Sequence, residues 1–251
     1  MKTKTHYMSV GINQTKKSLD WNWNLNLIAY GASNQIVLYD PQESCIVGIS
    51  NESHGGYINS IQWIRNKFSP SKNFLLSTST NGSAKLWIFE GTRTDLPPGC
   101  IKNSLKAVTT LTGHQGSVAC ADALIDLNQE NEENKIFVVT TAEDNLIKGW
   151  KINSTLGTSE ELFSYKLPGR SLALDLLILP AANCWPLIVY GGDDGKVHVM
   201  VSQEGEKYEP KYALTGHQDW ITSLAYWVED EGDTLLSSGS KDGSIRLWRI
   251  S

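Results

Sequence analysis

The sequence predicts an all-β protein built from repeated four-stranded units, and three observations carry that prediction. Five short stretches share a tight-turn signal followed by an apolar run that ends in a large residue: GASNQIVLY (31–39), STNGSAKLW (79–87), AEDNLIKGW (142–150), GDDGKVHVM (192–200) and SKDGSIRLW (240–248). Their final residues, Tyr39, Trp87, Trp150, Met200 and Trp248, step by 48, 63, 50 and 48 residues, a spacing expected of stacked supersecondary units. No stretch longer than about 12 residues shows the 3.6-residue apolar spacing of an amphipathic helix.

Composition bounds the rest. Of 251 residues, 40% are hydrophobic, enough for a packed core, and no apolar run approaches the roughly 18–20 residues of a membrane-spanning helix. A soluble protein is expected. The net charge of -5 argues against a dedicated DNA surface, because phosphate-driven affinity needs clustered positive charge. Lys2 and Lys4 are not followed by the apolar core of a secretory signal. Cys45, Cys100, Cys120 and Cys184 lie far apart and form no C-x-x-C pair, which excludes a disulfide framework and a zinc knuckle and predicts a reducing compartment.

The elements follow from turn chemistry and from a second repeated signature. Asn-Gly, Asp-Gly and Asp-Asn pairs bound the β-branched and aromatic runs, as in hairpins with tight turns. Residues 111–118 read LTGHQGSV and residues 214–221 read LTGHQDWI, with Gly113 and Gly216 separated by 103 residues. Midway between them, LPGRSLAL (167–174) carries Gly169-Arg170 in place of Gly-His. Five units result, at approximately 11–52, 53–110, 111–166, 167–213 and 214–251. In the last stretch, Tyr212 to Leu214 is expected as the outer strand of the preceding sheet. Ile221 to Trp227 would be the next inner strand, followed by Leu235 to Ser238 and Ile245 to Ile250.

Within two units the polar residues fall at matching offsets. Ser238 and Asp242 lie ten and six residues before Trp248, with His217 upstream, and Thr140 and Asp144 stand in the same relation to Trp150, with His114 upstream. A hydrolase triad uses the same residue types, since His can activate a hydroxyl nucleophile. A structural reading is the stronger one: a chain of hydrogen bonds satisfies the buried imidazole and indole, each of which would otherwise cost about 1–3 kcal/mol. The other units are degenerate. The second has His54, Ser77, Asn81 and Trp87, the fourth has Asp194, Tyr190 and Met200, and the first has Ala29, Ser33 and Tyr39. These units are expected to hold by strand pairing and apolar packing alone.

A repeat of 40–50 residues with four strands, a Gly-His and a terminal Trp resembles the WD-repeat β-propeller family. In that family the matching residues link the turn Asp through His and Ser or Thr to the Trp indole, so the resemblance implies the structural role for both sets. It also implies that Thr5 to Val10 is the outer strand closing a ring. Five units admit either a closed five-bladed ring or, as is favoured here, part of a seven-bladed one.

Long connections are expected at Arg65 to Asn73, Gly91 to Lys106, Asp126 to Asn134, Ser154 to Glu161 and Val228 to Gly232, all on one face. Insertions on one face suit a scaffold with variable partners, and solvated loops without a role are equally allowed. Arg65, Lys67 and Lys72 surround Phe68, a pattern that can touch RNA phosphate and bases, while Asp126, Glu130, Glu132 and Glu133 form an acidic counterpart. On the opposite face Trp220, with Arg170 and Lys241, is a candidate partner anchor, core packing being the alternative for Trp220. The run Gly191-Gly192-Asp193-Asp194-Gly195 opens a strand rather than a helix, so it lacks the helix N-terminus that would cradle phosphate. No metal cluster, cofactor site or catalytic constellation is expected.

The least generic stretches narrow the resemblance. LDW (19–21), IAYGASNQIVLYDP (28–41), INSIQWI (58–64), IVYGGDDGKVHV (188–199) and LTGHQDWITSL (214–224) are similar to the N-terminal propeller in the family of Elongator second subunits. That resemblance implies a non-catalytic scaffold supporting wobble-uridine modification of transfer RNA. Its implied partners are the large scaffold subunit and the catalytic subunit, with transfer RNA reached indirectly and neither DNA nor a membrane engaged. The implied location is the cytoplasm of a eukaryote, with the nucleus second. An unrelated WD-repeat adaptor, such as a ubiquitin-ligase substrate receptor, is the alternative.

Overall fold

The structure is a computed structural model that describes residues 12–64, 73–90, 102–125, 135–169, 172–180, 185–228 and 233–250. Among the described residues there are nineteen strands and no helix. The chain divides into two compact units, Met1–Val118 with Ser154–Thr158, and Ala119–Asn153 with Ser159–Ser251.

In the first unit, β1 (Leu19–Asn22), β2 (Leu27–Ala32), β3 (Gln35–Asp40) and β4 (Cys45–Ser50) form one antiparallel meander. A second comprises β5 (Ile58–Ile64), β6 (Asn73–Ser79), β7 (Ser83–Phe89) and β8 (Lys102–Thr112). Their outer strands pair in parallel, Gly48 with Lys102 and Ser50 with Leu105, so the two meanders form an eight-stranded sheet. Leu27, Ile36 and Leu38 pack with Ile61, Trp63, Trp87 and Phe89 in one buried cluster.

The second unit holds three sheets. β9 (Val118–Ile125), β10 (Lys135–Ala142), β11 (Leu146–Asn153) and β12 (Thr158–Lys166) form one, and β13 (Ala173–Leu179), β14 (Leu187–Gly192), β15 (Val197–Val201) and β16 (Glu209–Leu214) the next. The last has three strands, β17 (Ile221–Val228), β18 (Thr234–Ser240) and β19 (Ile245–Ile250). Leu177, Val189 and Val199 of the middle sheet pack on Ile221, Leu224 and Leu236 of the last.

The hairpin signals correspond to a backbone requirement. Each of the five tight turns places one residue at positive φ: Ser33 at 58°, Gly82 at 82°, Asn145 at 64°, Gly195 at 74° and Gly243 at 82°. Only glycine, or a short polar residue that hydrogen-bonds locally, takes this conformation cheaply. At Ser33 the strain is shared with Asn13, whose amide accepts the Ser33 N–H at 2.8 Å and donates to the Ser33 carbonyl at 2.7 Å.

The sheets within each unit are also latched by aspartates set in apolar inner strands. Asp20 accepts the N–H of Trp21 at 2.9 Å and that of Trp63, on the next inner strand, at 2.8 Å. Asp122 takes Ala123 and Ile178 at 2.8 and 2.7 Å, and Asp175 takes Leu176 and Leu224 at 2.8 and 2.7 Å. A buried carboxylate is costly unless hydrogen-bonded, and each latch supplies two N–H donors.

The last sheet has the three strands expected of its stretch, and the first two four-stranded meanders are joined edge to edge into one sheet. Two expectations are corrected. The connection expected over 91–106 ends earlier, because β8 begins at Lys102. The one expected over 154–161 is a four-residue turn closed by Gly157 at φ 68°, with β12 starting at Thr158. Arg65, Lys67, Phe68, Lys72, the acidic cluster at 126–133, Arg170 and the segment Thr5 to Val10 lie outside the described residues.

Candidate functional site

The most complete polar constellation is carried by the last sheet. Hairpin β18–β19 sets Ser238 and Trp248 on one face, and the segment before β17 brings His217 to them. Trp248 Nε1 donates to Ser238 Oγ at 2.9 Å, Ser238 Oγ meets His217 Nε2 at 2.9 Å, and His217 Nδ1 meets Asp242 Oδ2 at 3.0 Å. A carboxylate only accepts, so Nδ1 carries the proton toward Asp242 and Nε2 accepts from the serine. Asp242 also accepts from Ser244 Oγ at 2.6 Å and from the Gln218 N–H at 2.9 Å. These bonds, the Ser244 hydroxyl first, hold its carboxyl well below the usual carboxylate range. Ser238 is fully buried, and its oxygen is held between indole and imidazole. This arrangement ties strands together and presents no nucleophile to solvent.

In the sheet of β9–β12, Trp150 Nε1 donates to Thr140 Oγ1 at 2.9 Å, and Asp144 accepts the N–H of Leu146 at 3.1 Å across its turn. His114 is buried in the first unit, whereas Thr140, Asp144 and Trp150 belong to the second.

The degenerate units are better satisfied than packing alone would make them. In the second, Trp87 Nε1 donates to Ser77 Oγ at 2.7 Å and His54 Nε2 meets the same oxygen at 2.7 Å. Ser83 then bridges His54 Nδ1, at 3.4 Å, to Asn81 Oδ1, at 2.7 Å. The inserted hydroxyl makes up for the missing carboxylate. Burial, and then the positive charge of Lys85, lower the His54 pKa to about 4, so the imidazole is neutral. In the fourth unit the histidine comes from the strand itself: His198 Nε2 meets Asp194 Oδ2 at 3.0 Å and its ring stacks on Tyr190 at 4.7 Å. Burial, then Tyr165 and Asp194, push the Tyr190 phenol above its ordinary range. Both observations correct the expectation that these units hold without polar links.

A further repeated group escaped the sequence reading. Two residues before the terminal tryptophan, Lys85 pairs with Glu52 at 2.9 Å and lies 5.4 Å over Trp87, and Lys148 pairs with Glu161 at 2.8 Å and lies 5.8 Å over Trp150. The signal was present as a basic residue at that position in AKLW, IKGW and IRLW. Its meaning depends on a glutamate that no fixed spacing reveals, Glu52 just after β4 and Glu161 on β12.

Trp220 is not core. It is 46% exposed, and Lys241 Nζ sits 4.6 Å over its ring, a cation–π contact. The Lys241 N–H donates to the Trp220 carbonyl at 2.9 Å, and Ser240 Oγ donates to the Asp219 carbonyl at 2.9 Å. Tyr57 is the counterpart in the first unit, 65% exposed, its carbonyl accepting the Thr80 N–H at 2.9 Å. Each is a rigid aromatic at the start of an inner strand. Among the described residues no His, Cys, Asp and Glu group could hold a metal ion, and no helix is long and apolar enough to cross a membrane.

Antiparallel meanders with indole-hydroxyl-imidazole chains are blades of the WD-repeat kind, and the family profile described as WD domain, G-beta repeat, matches residues 46–87 and 208–249, the two stretches that hold the His54–Ser77–Trp87 and His217–Ser238–Trp248 chains. Nearly the full length of this chain is similar to Elongator complex protein 2 of several organisms. Identity is 29% with that of Mus musculus over 95% of this chain, 30% with that of Drosophila melanogaster over 100%, and 28% with that of Saccharomyces cerevisiae over 96%. The chain spans 27% to 30% of the length of these relatives. Among solved structures, a chain of the crystal structure of the mitotic checkpoint complex shares the fold at a TM-score of 0.60 and 16% identity, covering 99% of this chain and 69% of that one.

Proposed function

We propose that this chain is propeller blades of an Elongator second subunit, acting as a non-catalytic interaction scaffold that supports wobble-uridine modification of transfer RNA. The observation that carries the reading is the end-to-end similarity to proteins named Elongator complex protein 2, over 95% to 100% of this chain in mouse, fly and yeast. The polar geometry supports it. Side chains of the types found in hydrolases are spent on holding strands together, while rigid aromatics, Trp220 and Tyr57, are left exposed, as at protein interfaces.

The partners under this proposal are the large scaffold subunit and the catalytic subunit, with transfer RNA contacted indirectly, in the cytoplasm and secondarily the nucleus. Trp220 and Lys241 are the proposed anchor for one of them. The test is affinity capture of the full-length protein, tagged at its own locus, followed by quantitative mass spectrometry. Recovery of the other Elongator subunits in constant ratio is the expected result; recovery of ubiquitin-ligase subunits without them would overturn it.

A further inference from the structure

Asn81 stands where three other units carry an aspartate, Asp144, Asp194 and Asp242, and it is the one asparagine of the sequence followed by glycine. Its turn holds it as the last sheet holds a carboxylate. Asn81 Oδ1 accepts the Ser83 N–H at 3.2 Å and the Ser83 hydroxyl at 2.7 Å, just as Asp242 Oδ1 accepts the Ser244 N–H at 2.8 Å and the Ser244 hydroxyl at 2.6 Å. The second oxygen of Asp242 takes the Gln218 N–H and meets His217 Nδ1. Gly55, directly after His54, occupies the place of Gln218, and Asn81 Nδ2 lies 2.7 Å from where a Cβ on Gly55 would stand. An amide nitrogen only donates. The second unit therefore offers a donor where the last sheet offers an acceptor, and Ser83 carries the link to His54 Nδ1 at 3.4 Å.

The same geometry sets the amide up to react. Hydrolysis of an asparagine amide runs through attack of the following backbone nitrogen on Cγ, and a glycine there puts no side chain in the way. Asn81 is exposed, so water reaches it. The Ser83 hydroxyl donates to Oδ1 and stabilises the charge that builds on that oxygen during the attack. The turn must open for Gly82 N to reach Cγ. Its closing bond, from the Gly82 N–H to the Ser79 carbonyl, is 3.3 Å long, against 3.2 Å from Asn145 to Ala142 and 3.1 Å from Gly243 to Ser240 in the corresponding turns.

We propose that Asn81 is a site of spontaneous deamidation and that its product completes the second unit's hydrogen-bonded chain with a carboxylate. Gly82 N bonds to Asn81 Cγ, its proton passes through water to Nδ2, and Nδ2 leaves as ammonia, closing a succinimide. Water then opens the ring. Cleavage of the bond from Gly82 N to Cγ restores the ordinary backbone with aspartate at position 81, whereas cleavage of the bond to the main-chain carbonyl routes the chain through Cβ as isoaspartate. One water is consumed and one ammonia released, and nothing is oxidised or reduced. The Ser83 N–H, the Ser83 hydroxyl and Gly55 are placed to hold the ordinary aspartate as Asp242 is held, so the folded chain favours that product. The second unit thus ages toward the arrangement with which the last sheet is built. The inference is independent of membership in the Elongator assembly.

The test is incubation of the purified full-length protein at mildly alkaline pH in heavy-oxygen water. Peptide mapping with electron-transfer fragmentation then separates aspartate from isoaspartate. Position 81 should gain the label faster than any other asparagine within these 251 residues, with aspartate as the main product. Gly82→Ala should slow the reaction about tenfold, and Ser83→Ala, which leaves the glycine in place, severalfold. Should Gly82→Ala misfold, because Gly82 sits at φ 82° with the His114 carbonyl 2.8 Å from a Cβ there, Ser83→Ala still decides. Asn81→Asp should melt above the parent near neutral pH. The proposal is overturned if position 81 keeps its amide while other asparagines convert, if Ser83→Ala reacts as fast as the parent, if isoaspartate predominates, or if Asn81→Asp melts no higher than the parent.

Discussion

At the scale of single residues, the imidazoles do structural work whose size can be measured. His217 links Ser238 to Asp242, and its removal leaves partners unpaired in a partly buried network. His217→Ala should therefore lower stability by about 1–3 kcal/mol, read as a shifted urea midpoint; an unchanged midpoint would refute the network account. His54 makes a pH-dependent prediction. Its pKa is lowered from 6.5 to about 4 in the folded chain, so the unfolded state binds more protons between those values. The stabilisation is complete above pH 6.5 and is lost as pH falls toward 4, by about 3 kcal/mol at most. Urea titrations of the parent and of His54→Gln between pH 4 and 7.5 should show the steep acid loss in the parent alone.

At the scale of elements, the turns were legible and the junctions were not. Asn-Gly, Asp-Gly and Asp-Asn read directly as hairpins because positive φ is a property of one residue, and Gly82, Asn145, Gly195 and Gly243 adopt it. The terminal Trp and the Ser ten residues earlier were legible for the same reason: strand register within one hairpin is fixed by sequence spacing. What depended on strands outside the hairpin stayed hidden, including the parallel pairing of β4 with β8, the aspartate latches and the glutamates that meet Lys85 and Lys148. His198 stayed hidden too, because a histidine four residues after Asp194 departs from the repeat's own order. An aspartate inside LDW, ACADAL and LALDLL was the available clue to the latches. Asp175→Ala should orphan the N–H groups of Leu176 and Leu224 and cost about 1–3 kcal/mol for each, whereas Asp175→Asn, which keeps an acceptor, should cost less. Gly149→Ala should destabilise by about 1–3 kcal/mol through collision with Phe163, measured by calorimetry, and a neutral result would show that the ring can move aside.

At the scale of the whole molecule, the central claim is that this protein acts by holding partners and that its His, Ser and Asp residues serve the fold. Catalysis by these residues and scaffolding by the sheet they stabilise respond differently to the same substitution. A structural residue fails when the fold fails; a catalytic one fails at every temperature. The direct measurement is made in cells whose only full-length copy carries His217→Ala, where recovery of the Elongator subunits and the modified wobble-uridine content of transfer RNA are quantified together across a temperature series. The account predicts that both stay near parental levels at low temperature and fall together as the variant unfolds. Loss of modification at a temperature where the complex is recovered intact would contradict it.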